Sequence, residues 1–467
     1  MSVQILNRPN QFFIPAYGGE TIFTVAETTP ATYNNTNFKF VFEVNIYNKD
    51  ENGSVQNNYH RFSVKPQVSL GWAMASFDIA QVVQDYATTD TEIYTGANAG
   101  QHNGVTATPF PTTRFSIHTV DKFSKQRSNM LKVTVAVYEY YTDASGNDVF
   151  ASYTGLGQNY AYFNGTQQLE EGATAFDDAK YLASDNTKSF LSSFSHSLER
   201  KIRLTDYHTL AFTNGRYRDI LGNVGYAKLN TIEFNFYDSN NTLLQTNATT
   251  NNPTNGGSFN GTIDINDATE THGLLIYAGV GPQNITNAGI TIPANTAYYT
   301  VRGENTSLFG ATRSYTFRLQ DDDCKGYETI RLAYLNRLGA WDYYNFTKKS
   351  TRTVNTTQGL MKENQVSYGN VYAYRQSWRG GAKAYRTNST EIIEANTDFI
   401  TEDEANVLEE LFTSPQVFMQ DTTNTIDTFL PVIVTEKSYT KQTTANDGLK
   451  QYVISIEKSN EKVIQRL

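Results

Sequence analysis

Residues 37–53 read NFKFVFEVNIYNKDENG, and their alternation limits the possible folds more than any other feature of the chain. Phe38, Phe40, Phe42, Val44 and Ile46 fall on one face, Lys39, Glu43 and Asn45 on the other, with Val41 the exception. Successive side chains of a strand point to opposite sides, so a period of two describes a strand with one buried face. The DENG run supplies a turn, and YHRFSV returns as the partner strand. The same grammar recurs. Leu131, Val133, Val135 and Val137 share a face before a turn at 143–147, and Ile232, Phe234 and Phe236 precede a turn at 238–241. The spacing is too irregular for a repeat architecture. The chain is therefore expected to be mainly β, with several β-sandwich or barrel-like modules and a few short helices.

Aromatic residues make up 13% of the 467, led by 31 Tyr and 27 Phe, and these suit a pleated, half-buried surface. The length allows about three domains. The pattern places them at 1–160 (N-terminal β), 161–345 (central β-sandwich) and 346–467 (C-terminal β with one short helix). Asp78 is placed to cap a short helix presenting Ile79, Val82, Val83 and Tyr86, and Thr401 with Glu404 spells a capping box before an apolar stripe that Pro415 ends. Near the C-terminus, FLPVIV, an Asn-Asp-Gly turn at 446–448 and an inward face of Tyr452, Ile454 and Ile456 predict a closing β-ribbon. Polar stretches at 88–105 and 249–259 read as surface loops.

A formal net charge of -9 argues against sequence readout of a nucleic acid, which needs a basic stripe. No apolar window is long enough for a membrane-spanning helix, so no membrane insertion is expected. The start lacks a basic-then-apolar leader, and the single cysteine, Cys324, suits a reducing cytoplasm. Six scattered histidines give no zinc spacing, so neither metal nor cofactor is expected. The acidic run 321–323 lacks the alternating ligands of a calcium loop. RQSWRGGAKAYRT has glycines and a lysine without phosphate-loop spacing; its basic side chains with Tyr374, Trp378, Arg379 and Tyr385 could meet a nucleic-acid backbone or an acidic protein face, and the acidic total charge favours a contact surface for a protein or a solvated ribbon. With no nucleophile elbow, the chain is not expected to be an enzyme.

The densest aromatic stretch is TIRLAYLNRLGAWDYYNF at 329–346. Ile330, Leu332 and Tyr334 alternate into a turn at 336–339, and Trp341, Tyr343 and Asn345 alternate out of it, while Tyr344 and Phe346 occupy the opposite face. Rings on both faces imply cover on both sides. Three readings stand: a central strand pair inside the chain, a face covered by another subunit, and a sugar-stacking platform. Arg337, Trp341, Tyr343 and Tyr344 are the candidate structural or interface anchors.

In its order of segments the chain resembles β-rich virion structural proteins of tailed bacteriophages, of the tail, baseplate or hub kind. The likeness lies in PAYGGETIFTV with NFKFVFEVNIY, FDIAQVVQDY, SFLSSFSHSLERKIRLTDYHTLAF, YETIRLAYLNRLGAWDYYNF, and LEELFTSPQVFM with FLPVIVTEKSYTKQ and LKQYVISIEKSN. LNRLGAWDYYNF is the most distinctive of these. The resemblance implies a non-enzymatic subunit of the virion, assembled in the host bacterial cytoplasm. Such a subunit forms a cyclic homo-oligomer in the tail, hub or connector region and contacts neighbouring virion proteins. It implies no catalytic residue. The alternative is a receptor- or carbohydrate-binding tail protein, with or without depolymerase activity.

Overall fold

The computed structural model describes residues 3–9, 13–49, 55–89, 91–94, 114–125, 130–153, 159–168, 170, 180–181, 188–218, 224–227, 229, 231–250, 274–305, 310–320, 326–364, 366–368, 373–375, 380–421, 429–436 and 450–460. The chain is mainly β, in several sheets with a few short helices, and divides into two compact units. One comprises Met1–Asp321 with Leu335–Asp342, the other Asp322–Tyr334 with Tyr343–Leu467. The acidic run 321–323, Cys324, the 446–448 turn and most of both predicted loops lie outside the described residues.

The first unit holds two hydrophobic cores. In one, a six-stranded sheet runs Phe13–Tyr17, Asn159–Thr166, Met130–Thr142, Thr36–Lys49, Val55–Val64, with Asp148–Tyr153 also on Met130–Thr142. Its apolar face meets a four-stranded sheet ordered Val3–Asn7, Ile22–Glu27, Trp72–Asp78, Gln67–Ser69. Phe38, Phe40, Phe42, Val44 and Ile46 are all buried there, as their alternation requires, and Phe42 stacks on Phe77 at 5.3 Å. Val41 is buried too, on the face opposite that row. The partner strand pairs in the register Phe42↔Phe62.

The second core lies between a sheet of Phe123–Lys125, Leu274–Gly279, Thr209–Arg218 and Val224–Ala227 and a sheet of Arg200–Ile202, Tyr315–Leu319, Tyr298–Asn305, Thr231–Tyr237 and Leu243–Thr250. Ile232, Phe234 and Phe236 are buried in it.

The second unit is built on a seven-stranded sheet in the order Trp341–Phe346, Ile330–Leu335, Val417–Gln420, Phe429–Val434, Val453–Lys458, Gly381–Asn396, Thr351–Glu363. Ile454 and Ile456 are buried and Tyr452 half-buried. Glu402–Thr413 is a helix with the full capping box: Thr401 Oγ1 accepts from Glu404 N, and Thr401 N donates to Glu404. The shorter helix Ala80–Gln84 differs from its expected start. Ile79 stands at its N-cap, because Asp78 ends the strand Trp72–Asp78 and its carboxylate accepts from Ala80 N at 2.9 Å. Among the described residues no helix is long and apolar enough to cross a membrane, a statement about helices alone.

Candidate functional site: the aromatic hairpin and the two-stranded arm

Three hairpin turns are built alike. Asp143 Oδ1 accepts from Ser145 N (2.9 Å) and Asn147 N (2.8 Å), and Asp238 Oδ1 accepts from Asn240 N and Thr242 N (both 2.8 Å). Asn336 Oδ1 does the same for Leu338 N and Ala340 N, both at 3.0 Å. In each turn the first residue's N–H donates to the carbonyl of the fifth, and the fourth has positive φ: Gly146 at 81°, Asn241 at 63°, Gly339 at 72°. A short side-chain acceptor that organises the next backbone amides explains why Asx residues open these turns. The amides also hold the Asp143 and Asp238 carboxyls below their ordinary range, Asn147 and Thr242 contributing most.

The third turn differs in being buried. Asn336 Nδ2 donates to Asp342 Oδ2 (2.8 Å) and to Leu191 O (3.2 Å). Asp342, fully buried, also accepts from Ser192 Oγ (2.6 Å) and Ser193 N (2.8 Å). Arg200, buried among Phe194, Tyr315 and Phe317, donates to Ser192 Oγ at 3.1 Å and to Phe194 O at 2.9 Å. Burial pushes the Asp342 carboxyl up, while Ser192, Asn336, Arg200 and Ser193 pull it back. Gly339 is required twice over, since its φ is positive and an added Cβ would stand 2.2 Å from Asn164 O.

The predicted anchors divide by environment. Trp341 is 1% exposed, edge-to-face with the His118 ring at 4.8 Å, and Tyr343 is 4% exposed. Both are covered within a single chain. Tyr344 is half-buried and packs edge-to-face on Phe346 at 5.0 Å; burial raises its phenol far above its usual range, with Glu404 and Asp398 adding. Arg337 is exposed, and its carbonyl accepts from Thr166 N at 2.7 Å. The arginine built into the hairpin's strands is Arg331, 2% exposed, which donates to Asn345 Oδ1 at 2.7 Å and lies over the Tyr343 ring at 5.0 Å. Sequence reasoning missed it. The available signal was a charge between apolar neighbours in a strand read as covered on both faces.

Tyr385 belongs to the second feature. Thr351–Glu363 pairs with Gly381–Asn396 along its whole length, but Val453–Lys458 joins Gly381–Asn396 only from Ile392 to Asn396. Residues 354–363 and 381–391 therefore form a two-stranded arm of about 33 Å. Thr351–Glu363 is exposed at every position except Gly359 and Glu363, and it is the edge strand of its sheet. Val354 (51%), Leu360 (61%), Met361 (42%) and Tyr385 (47%) stand in water. A bulge leaves Tyr385 out of the pairing, and its ring lies so close over Gly359 that a Cβ there would stand 2.8 Å from it. At the arm's root, Glu391 binds Arg352 (2.8 Å) and Lys458 (3.1 Å), and Arg352 reaches Glu328. Burial alone would raise the Glu391 carboxyl, but these two cations bring it below the usual range. Tyr374 lies in Ala373–Arg375, opposite Ser367; Trp378 and Arg379 fall outside the described residues.

No protein-family model matches the sequence, and no curated protein does. Among solved structures, the chain is similar to the crystal structure of squid arrestin at 8% identity, over 68% of this chain and 94% of that one, with a TM-score of 0.17. A score that low carries no argument about fold or function.

One more surface was not legible in the sequence. On the outer face of the six-stranded sheet, Glu43 accepts from Tyr59 Oη, bonds Tyr138 and pairs with Arg61 at 3.6 Å. Arg61 lies over Phe150 at 4.5 Å, and Tyr138 stacks on Phe150 at 4.6 Å. These contacts run across four strands, so no local motif announces them. Among the described residues no group of three or more His, Cys, Asp or Glu side chains is arranged to hold a metal ion.

Proposed function

We propose that the chain is a non-enzymatic structural subunit of a tailed-bacteriophage virion, assembling as a ring in the tail, hub or connector region and contacting neighbouring virion proteins. The arm carries this reading. A two-stranded ribbon is marginally stable by itself, yet the outer strand of this one is exposed along most of its length, displays Val354, Leu360 and Met361 with Tyr385 across from it, and has an edge that pairs with no other strand among the described residues. Cover from a second protein would bury those side chains and pair that edge. The segment order described above is what favours the virion over other assemblies; the protein would then act in the virion after assembly in the bacterial cytoplasm.

Native mass spectrometry and negative-stain microscopy test the proposal. The expected result is a defined cyclic oligomer, alone or on mixing with neighbouring virion proteins. Replacing residues 355–390 with a short Gly-Ser turn is expected to leave a folded monomer. A wild-type chain that stays monomeric in both settings, or an armless chain that assembles normally, would overturn the reading.

A second reading, a carbohydrate-binding tail protein, is favoured by the exposed rings of Tyr59 (52%) and Phe150 (44%) beside Glu43 and Arg61. Flat rings next to a carboxylate and a guanidinium suit a sugar face. Glycan-array binding that is lost in Phe150→Ala would support it, and an empty array would remove it.

A further inference from the structure

The seven-stranded sheet has a packed face and, over its last four strands, an open one. Residues opposite one another in paired strands share a side. Ile433 faces Glu457, Glu457 faces Ile392, and Ile392 faces Thr353. In the next rows Ser455, Glu394 and Thr351 stand together, and Val453 faces Asn396. Their neighbours in sequence, Val432, Ile393, Ala395, Ile454 and Ile456, are buried on the other side. On the open side Ile433 is 56% exposed and Val453 48%, Glu394 is exposed, and Glu457 stands half-buried between the two isoleucines. Among the described residues no cation pairs with Glu394 or Glu457. Exposed Lys349 lies at the end of the face away from the arm, where its carbonyl accepts from Asn396 Nδ2 at 2.7 Å.

The same face runs on into the arm, because Gly381–Asn396 is one strand. Thr390 and Asn388 follow Ile392 on it, and then comes Arg386, exposed and donating to Asn388 Oδ1 at 2.8 Å. Beyond lie the Tyr385 ring over Gly359, and Met361 opposite Lys383, which pairs with Glu363. Composition follows the same division. Residues 353–390 hold five Lys or Arg and one Glu, a net +4 within a chain of -9, whereas residues 391–436 hold eleven Asp or Glu and no Lys or Arg. One end of the face thus joins apolar side chains to cations, and the other joins them to carboxylates.

The two ends cannot neutralise each other within one chain. The ladder is unbroken from Thr351↔Glu394 to Gly359↔Arg386. Eight positions of extended strand hold Arg386 about 27 Å from Glu394, some three times the ~8 Å over which charges act in physiological salt. A second copy supplies the missing partner. We propose that the arm of one copy lies along the open face of the next, with Arg386 on Glu394 and Glu457, and Tyr385 and Met361 on Ile433 and Val453. Copies of a chain with a formal charge of -9 repel one another over most of their surfaces, and here unlike charges meet instead. Arm and receiving face are different surfaces, so the contact is head-to-tail, the kind that closes into a ring. This rests on the ring reading and names the surfaces that meet in it.

Charge reversal tests the docking. Arg386→Glu and Glu394→Arg each alter an exposed side chain, so both variants should melt as the wild type does. Self-association of each, measured by native mass spectrometry and sedimentation, should weaken on the order of tenfold or more. Arg386→Gln and Glu394→Gln, which introduce no new charge, should weaken it in the same direction. The double variant Arg386→Glu with Glu394→Arg restores unlike charges across the contact and should assemble like the wild type, a rescue that a purely structural role of either residue would not give. Undiminished assembly of any single variant, or a double variant no better than the single reversals, overturns the docking and leaves the ring reading intact. Assembly of the wild-type chain only on mixing with a different virion protein does the same. A wild-type chain that stays monomeric alone and on mixing removes both.

Discussion

Asn336 donates from Nδ2 to Asp342 Oδ2 at 2.8 Å, and this bond explains why one of three like turns opens with an amide rather than a carboxylate. Asp143 and Asp238 are only half-buried, so water helps solvate their charge. Asn336 is 4% exposed beside a fully buried carboxylate, and the second oxygen of an aspartate there would replace a donor and face two acceptors, Asp342 Oδ2 and Leu191 O.

Asn336→Asp should therefore destabilise the chain by about 2–4 kcal/mol at neutral pH. Part of the loss should return in acid, when the pair shares a proton. Asp143→Asn, the converse change in a half-buried turn, should cost less than about 1 kcal/mol. Urea unfolding at several pH values checks both.

Glycine is needed at 339 for two reasons and at 146 for one. An added Cβ at Gly146 meets nothing within 4 Å, so Gly146→Ala pays only for positive φ, about 1–2 kcal/mol. Gly339→Ala adds a collision with Asn164 O and should cost at least about twice as much. Comparing the two variants' denaturation midpoints isolates the close approach from the backbone preference.

Trp341→Ala should destabilise the isolated chain by about 3–5 kcal/mol, since the ring is buried without any partner protein. A shift in assembly with unchanged melting would place the ring at an interface instead.

Glu139 makes stability fall as pH rises. Burial, a hydrogen bond to Glu27 and the charge of Glu27 together push its carboxyl up to about 8. Between the ordinary carboxylate range and that value, the folded chain holds a proton that the unfolded chain has released. The contribution is therefore full in acid and is lost up to about pH 8, with a slope of at most about 1.4 kcal/mol per pH unit. Glu139→Gln should flatten the curve and stabilise the chain at pH 9, as thermal unfolding across pH will show.

Sequence alone determined the pieces whose cause is local. Period-two alternation located the strands containing Phe40, Val135 and Phe234 and told which faces are buried. Asx chemistry located the turns at Asp143, Asp238 and Asn336, and the Thr401–Glu404 box located a helix start. Each depends on residues within about five positions of one another, where backbone geometry leaves few options. Tertiary structure decided which copy of a motif is buried and which of two arginines is. Asn336 meets Leu191, Gly339 meets Asn164 and Glu43 meets Tyr138 across long stretches of chain, and alternation carries no information about partners that distant. Burial depends on what packs on top. That is settled by sheet order, which put Arg331 inside and left Tyr385 on an uncovered arm.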